Sequence, residues 1–303
     1  MKKIVFLSFF LLLLVTGDLF AQSAGSSGLS FLKIGSGARN IALGDNGAVF
    51  ADDATAVFYN SSSIANLTGS EISFTHNEWI QGIRTEMLAT RFSLFGMKFG
   101  LGINSTRVGD IEVRERPGAP LSTFTADFFA VSLGTGFALS KKFDAGVAVK
   151  YIYEGMFYED ATGFAVDLSA KYKVSDDFFA VASLRNLGSM NELRSESTKL
   201  PVDLRIGGGY AFAMPTQKMN FSAGLEVQKF LSTDDIHLNV GVEGVYDKLI
   251  ALRLGYQSFY ESKGFTAGLG IYWNRLAFDY ALSPFSQQLG MGHTFTVRLA
   301  FGD

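Results

Sequence analysis

The side chains able to do acid–base or nucleophilic work are few. The chain has three histidines, His76, His237 and His293, and no cysteine, which removes thiolate catalysis and cysteine-ligated metal. Serine and aspartate are abundant, so a Ser-His-acid set can be drawn on paper. Yet G-x-S-x-G, the strained elbow that presents a nucleophilic serine, does not occur. The acid pairs Asp176-Asp177 and Asp234-Asp235 fall in turn-like stretches where carboxylates favour solvent. No stretch has the oxygen-ligand spacing of a calcium loop. Gly134 to Gly136 and Gly207 to Gly209 lack the helix start that a phosphate loop requires, and read as strand positions that leave room. The expectation is no enzyme: no catalytic residues, no metal and no cofactor.

The elements that carry these residues are strands. From His293 the last residues alternate, with Phe295, Val297, Leu299 and Phe301 on one parity and Thr294, Thr296, Arg298 and Ala300 on the other. The same split recurs in 164–174, 202–212, 236–242, 250–256, 265–273 and 276–282, and about 14 such segments can be counted after Gly69. Tight connections near Gly96, Lys141-Lys142, Asp176-Asp177, Asp247-Lys248 and Trp273-Asn274, with a slightly longer one at Pro215 to Lys218, alternate with longer ones. The longer ones are Arg107 to Thr123, Gly155 to Thr162, Gly188 to Leu200, Ser258 to Lys263 and Ser283 to Gly292. Short turns on one rim and long loops on the other belong to an up-and-down membrane barrel; a soluble β-sandwich is the competing arrangement.

The amino-terminal sequence adds to that. Lys2 and Lys3 precede an apolar run and a cleavable Ala21, which reads as a secretory signal peptide over residues 1–21. No later apolar run is long enough for a membrane helix. Residues 22–69 lack strand alternation and offer short helix-like pieces, with Asp52-Asp53 placed to start one that carries Ala56, Val57 and Tyr59. The expected organisation is therefore signal peptide 1–21, a small amino-terminal helical hatch 22–69, and a 14-stranded antiparallel transmembrane β-barrel 70–303 in the outer membrane, all-β in class. Asp52, Asp53 and Asn60 are the candidate binding or gating residues of the hatch.

The polar parity mixes signs: Asp144, Lys150, Glu226, Glu243, Arg253, Asp279 and Arg298. An ion-selective pore favours rings of one sign. Balanced charge predicts paired networks and a partly filled lumen. With a formal net charge of −3 and no basic run, no nucleic-acid partner is expected; the partners of the apolar face are outer-membrane lipids.

"FLKIGSGARNIALGDNGAVFADDATAVFYN", Phe31 to Asn60, resembles the start of mature proteins of the PorV/PorQ family, FadL-like outer-membrane barrels, and "GMGHTFTVRLAFG" fits the same family. Where the family usually has Asn-Pro-Ala-Gly, this chain has Asn60-Ser61-Ser62-Ser63. The resemblance implies a 14-stranded barrel with a hatch in its lumen. In function it implies either accessory work in type IX secretion and surface attachment, with secreted cargo and type IX components as partners, or a FadL-like channel for small hydrophobic molecules. Bulky apolar residues on the lumen parity read as isolated cases, Phe128, Ile152 and Tyr272. That favours the secretion role, with Arg107 to Thr123 as the contact ledge.

Overall fold

Period-two alternation can be satisfied with either face inward, and side-chain exposure decides between them. In a computed structural model describing residues 28–233 and 235–302, Phe295 is 49% exposed while its neighbour Thr296 is 3% exposed. Val297, Leu299 and Phe301 are likewise turned out, and Thr294 is buried. The oily face is outside and the polar face inside, the arrangement of a barrel solvated by lipid. The expected signal peptide, residues 1–21, lies outside the described residues.

Fourteen antiparallel strands close the barrel. They are β1 (Ser70–Glu78), β2 (Arg84–Leu94), β3 (Met97–Val113), β4 (Ser122–Ala138), β5 (Phe143–Met156), β6 (Glu159–Lys173), β7 (Phe178–Met190), β10 (Asp203–Met214), β11 (Met219–Phe230), β12 (Ile236–Tyr246), β13 (Ile250–Ser258), β14 (Phe265–Trp273), β15 (Leu276–Phe285) and β16 (Gly290–Phe301). A two-stranded hairpin, β8 (Glu192–Leu193) with β9 (Glu196–Ser197), stands in the loop between β7 and β10. Closure pairs β1 with β16, Ser70 opposite Phe301 and Glu78 opposite His293. The closed barrel has no free edge of its own.

The two rims differ as expected, but two of the long connections are not loops. β3 runs on to Val113 and β4 starts at Ser122, so only residues 114–121 connect them. The stretch Gly155 to Thr162 is almost all strand, with Phe157-Tyr158 as its turn. Alternation continues there with polar residues outside, Arg107 hydrogen-bonding Asp127 at 2.8 Å. A polar outer face above the lipid looks like loop in a sequence. The wall is consequently uneven: β3 and β4 have 17 residues each, β13 and β14 have 9. At about 2.5 Å of height per tilted residue, that is about 40 Å against about 20 Å, around an apolar band of about 25 Å.

Residues 28–69 run through the lumen from one rim to the other. Gly28 N–H donates to Lys199 O in the long-loop rim at 3.0 Å, and Gly69 lies against Gly302 at the short-turn rim. Between them are a 3₁₀ turn (Ser30–Lys33), the helices Ala38–Ala42, Gly47–Phe50 and Ala56–Tyr59, and a 3₁₀ stretch (Ser61–Asn66). The segment is not confined to the short-turn half.

Candidate functional site: the filled lumen

Inward-facing glycines line the wall where the segment passes. A Cβ on Gly146 would stand 2.1 Å from Ser62 N, and one on Gly255 2.1 Å from Gly44 N. Gly100 and Gly102 meet Val57 and Phe58, Gly134 and Gly136 meet Ser61, and Gly207 and Gly209 meet Val49. Backbone thus packs on backbone, which explains the glycine runs as space for the segment.

Two ionic clusters fix the lower part of the segment. In the first, Arg205 donates to Asp203 at 3.0 Å, Glu226 at 2.8 Å and the Asp45 carbonyl at 3.0 Å. Arg185 grips Asp203 with two bonds, 3.0 and 2.7 Å, and donates a third to Phe58 O at 2.7 Å. Tyr59 OH donates to Asp45 at 2.6 Å and accepts from Ser36 N–H at 2.6 Å. Burial and the Asp45 carboxylate hold that phenol well above its usual range, so it stays a donor.

In the second cluster Arg39 donates to Glu243 at 3.0 and 2.8 Å and to Phe50 O at 2.9 Å, and it pairs with Asp52. Arg253 joins Glu243 at 2.6 Å to Asp279 at 2.7 Å. Arg298 then links Asp279 at 3.0 Å to Asp53 at 3.1 Å. Paired charges are the form in which a low-dielectric lumen tolerates them, and all seven lumen charges foreseen from the sequence face inward here.

The three candidate residues have separate places. Asp53 is buried: burial works to raise its pKa, and the guanidiniums of Arg298 and Arg39 outweigh it, so the carboxyl sits below its usual range. Its Oδ1 also accepts from Thr55 N–H at 2.9 Å, just ahead of the foreseen helix Ala56–Tyr59. Asp52 is 61% exposed at its side chain and pairs with Arg39. Asn60 is a structural cap: its Oδ1 accepts from Ser62 N–H at 3.2 Å, and its Nδ2 donates to Ala48 O at 3.0 Å. Beside Asp52 a cavity of about 280 Å³ opens at the short-turn mouth, lined by Arg39, Asn220, Glu243, Tyr272 and Arg298.

The upper half is different in kind. Phe128 and Ile152, isolated in the sequence, are brought together with Ala130, Ala161, Ala165, Met190 and Leu200 into one apolar cluster. Leu29 and Phe31 of the lumen segment complete it, Phe31 stacking on Phe128 at 5.5 Å between centroids with 22° between planes. Tyr272 is not part of it; it donates no packing there and accepts instead from Arg253 at 2.6 Å. Leu29 and Phe31 were the residues missed by sequence reasoning. Their signal was present: two large apolar side chains in a serine- and glycine-rich stretch need somewhere to be buried.

The three His are not gathered into a site. His76 bonds Glu86 at 2.6 Å and His293 bonds Tyr280 at 2.8 Å, both on the outer face near the β1–β16 seam, while His237 stacks on Tyr260 at 3.7 Å. Among the described residues no group of His, Asp and Glu is placed to hold a metal ion.

A closed barrel with an apolar exterior and a lumen filled by its own amino-terminal segment is a membrane barrel of the outer-membrane type. Within that class the similar solved structures are channels. The chain matches the CymD monoaromatic hydrocarbon channel with a TM-score of 0.62 at 10% identity, covering 89% of this chain and 98% of that one. The Pseudomonas putida toluene transporter TodX gives 0.60 at 11%, covering 89% and 99%. A Pseudomonas aeruginosa FadL homologue gives 0.51 at 11%, covering 85% and 96%. At these identities the likeness is one of fold. No protein-family model matches the chain, and no curated protein matches it in sequence.

Proposed function

We propose that this barrel passes small hydrophobic compounds across the outer membrane. The observation that carries this reading is the apolar cluster in the upper lumen, a setting in which an uncharged organic molecule loses water contact at little polar cost. Above it the inward parity of the tall wall continues the apolar surface: Phe124 packs on Phe157 at 5.2 Å, above Phe128 on the same face of β4. The proteins of similar fold support the same reading, since those named above are a monoaromatic hydrocarbon channel and a toluene transporter.

The way out is at the short-turn mouth. There Asp52 and Asp53 act as a gate: the Arg39 and Arg298 pairs hold the segment over the 280 Å³ cavity, and their release lets it swing aside. Asn60 keeps the segment folded while it moves.

The secretion reading draws on the likeness of Phe31 to Asn60 to the PorV/PorQ family. Those residues lie inside the lumen and most of them are buried. Its support is therefore weaker.

Uptake of labelled toluene at low concentration, by cells with and without the gene, tests the proposal. Faster uptake with the gene is expected. Equal uptake, with secreted proteins retained in the periplasm of the deletion strain, would overturn it and favour the secretion role.

A further inference from the structure

We infer that the cavity at the short-turn mouth is a binding site for a small zwitterion of the α-amino-acid class, and that its occupant bolts the lumen segment to the wall. The bolt rests on the exit proposed at this mouth; the site does not.

Segment and wall build the cavity together. The segment supplies Arg39 and Asp52, and the wall supplies Asn220 of β11, Lys248 of the turn before β13, Tyr272 of β14 and Arg298 of β16. A volume of about 280 Å³ lies just below the range of about 300–1,000 Å³ usual for small-molecule sites. It is generous for a single ion and suits a compact organic solute. The lining is mostly polar, with Val245 and the Tyr272 ring as its apolar part.

Opposite charges are left unfinished around this space. The Asp52 side chain is 61% exposed and pairs with Arg39 through Oδ1; among the described residues its Oδ2 accepts no hydrogen bond. Lys248 is exposed in its turn, and its neighbour Asp247 is already paired with Lys218 at 3.0 Å. A guanidinium carries five N–H donors. Arg298 uses three of them, two on Asp279 at 3.2 and 3.0 Å and one on Asp53 at 3.1 Å, and the others remain for a guest. A carboxylate therefore finds donors on Lys248 and Arg298, and an ammonium finds an acceptor on Asp52.

Charge balance decides between a zwitterion and a simple ion. Arg39, Arg253, Arg298 and Lys248 are matched in number by Asp52, Asp53, Glu243 and Asp279 in and behind the lining. A lone anion or cation upsets that balance where water is partly excluded, and a zwitterion does not. An occupant held by Lys248 and Arg298 on the wall and by Asp52 on the segment loses contacts when the two separate. A ligand shifts an equilibrium by its differential affinity for the two states, so this one favours the shut mouth by mass action.

The test is titration of the detergent-solubilised full chain with L-alanine at neutral pH, read by saturation-transfer NMR. Propionate and ethylammonium, which lack its ammonium and its carboxylate, are the comparison probes. L-alanine should bind about fivefold more tightly than either, the worth of one partly exposed charge pair. Lys248→Gln should weaken L-alanine and propionate about fivefold and leave ethylammonium unmoved, and Asp52→Asn should weaken L-alanine and ethylammonium and leave propionate unmoved. Propionate binding as tightly as L-alanine, or equal L-alanine affinity in all three proteins, overturns the site. In planar bilayers, saturating L-alanine on the short-turn side should at least halve the frequency of channel openings in the unaltered protein and do nothing in either variant. Tighter binding of L-alanine with openings unchanged overturns the bolt alone. Toluene uptake equal with and without the gene overturns the reading of the function instead, and the titration then decides the site by itself.

Discussion

The two ends of the lumen segment differ in that only one adds ion pairs to its apolar packing. Around Leu29 and Phe31 the contacts are packing, a ring on a ring among aliphatic side chains, with one backbone tether to the rim. From Ser36 to Asp53 apolar packing, as of Ile41, Leu43, Val49 and Phe50, is joined by ionic and directional contacts, with Arg39, Asp45 and Asp53 each tied to wall charges. Packing is non-directional and can be exchanged for another apolar body of similar shape. A buried ion pair has no such substitute, since removing one partner strands the other in low dielectric. The end that must yield to a hydrophobic guest is therefore the apolar one, and the end that must stay closed in its absence is the charged one.

The largest expected effect comes from breaking the charged end. Arg205→Ala leaves Asp203, Glu226 and Asp45 facing one another, and should cost about 3–5 kcal/mol. Denaturant unfolding in detergent measures it, and planar-bilayer recordings should show higher conductance as the segment loosens. Conductance equal to that of the unaltered protein would show that this cluster does not hold the lumen shut.

A change that weakens the wall itself, with neither end favoured, provides the control. Leu252 is 65% exposed on the lipid side, so Leu252→Lys should cost about 2–4 kcal/mol, against little for Asn220→Lys on the inward parity beside the cavity. The heat-dependent shift in gel migration of the folded barrel reads this out. A reversed ranking would contradict the lipid-facing parity.

Crowding one position sharpens the contrast further. Gly146→Val thrusts side-chain atoms into the backbone of Ser62 and should cost about 1–3 kcal/mol by overpacking. The displaced 61–66 stretch should become cleavable by a protease added on the short-turn side, while binding at the apolar end is unchanged.

The smallest effect separates two adjacent aspartates. Exposed Asp52 should lose at most about 1 kcal/mol on change to Ala, and buried Asp53 more. Since the folded carboxyl of Asp53 lies below its ordinary value, its contribution is fully present above about pH 4 and is lost as pH falls through the folded value. Conductance should accordingly stay low at neutral pH and rise only under strongly acidic conditions. A rise near pH 6 would point to another group.

Much of this contrast was latent in the sequence, and some of it was not. The inward parity of Glu243, Arg253 and Asp279 was legible because strand periodicity assigns faces without any knowledge of partners. The glycines at 134–136 and 207–209 were legible as spaces, though what fills them was not. Pairing of Arg205 with Asp45 joins residues 160 apart in the chain, and no local pattern encodes such a distance. The upper strands escaped notice because Arg107 and Asp127 sit outside the barrel above the lipid, where a polar outer face breaks the rule used to find strands. Phe128 and Ile152 looked solitary because their neighbours, Leu29 and Phe31, come from the part of the chain with no strand pattern at all.

The seam between β1 and β16 bears on how such a molecule is put together. Thr296 of β16 bonds Thr75 of β1 at 2.8 Å and also accepts from Ala38 N–H of the lumen segment at 2.8 Å, while Arg298, two residues on, reaches Asp53. The strand that closes the barrel thus completes its hydrogen bonding only against the segment that fills the lumen. A cylinder zipped up empty would present glycines with no backbone to meet. Strands wrapped around the segment as around a mandrel meet that need as they pair, with the closing stitch at Thr296.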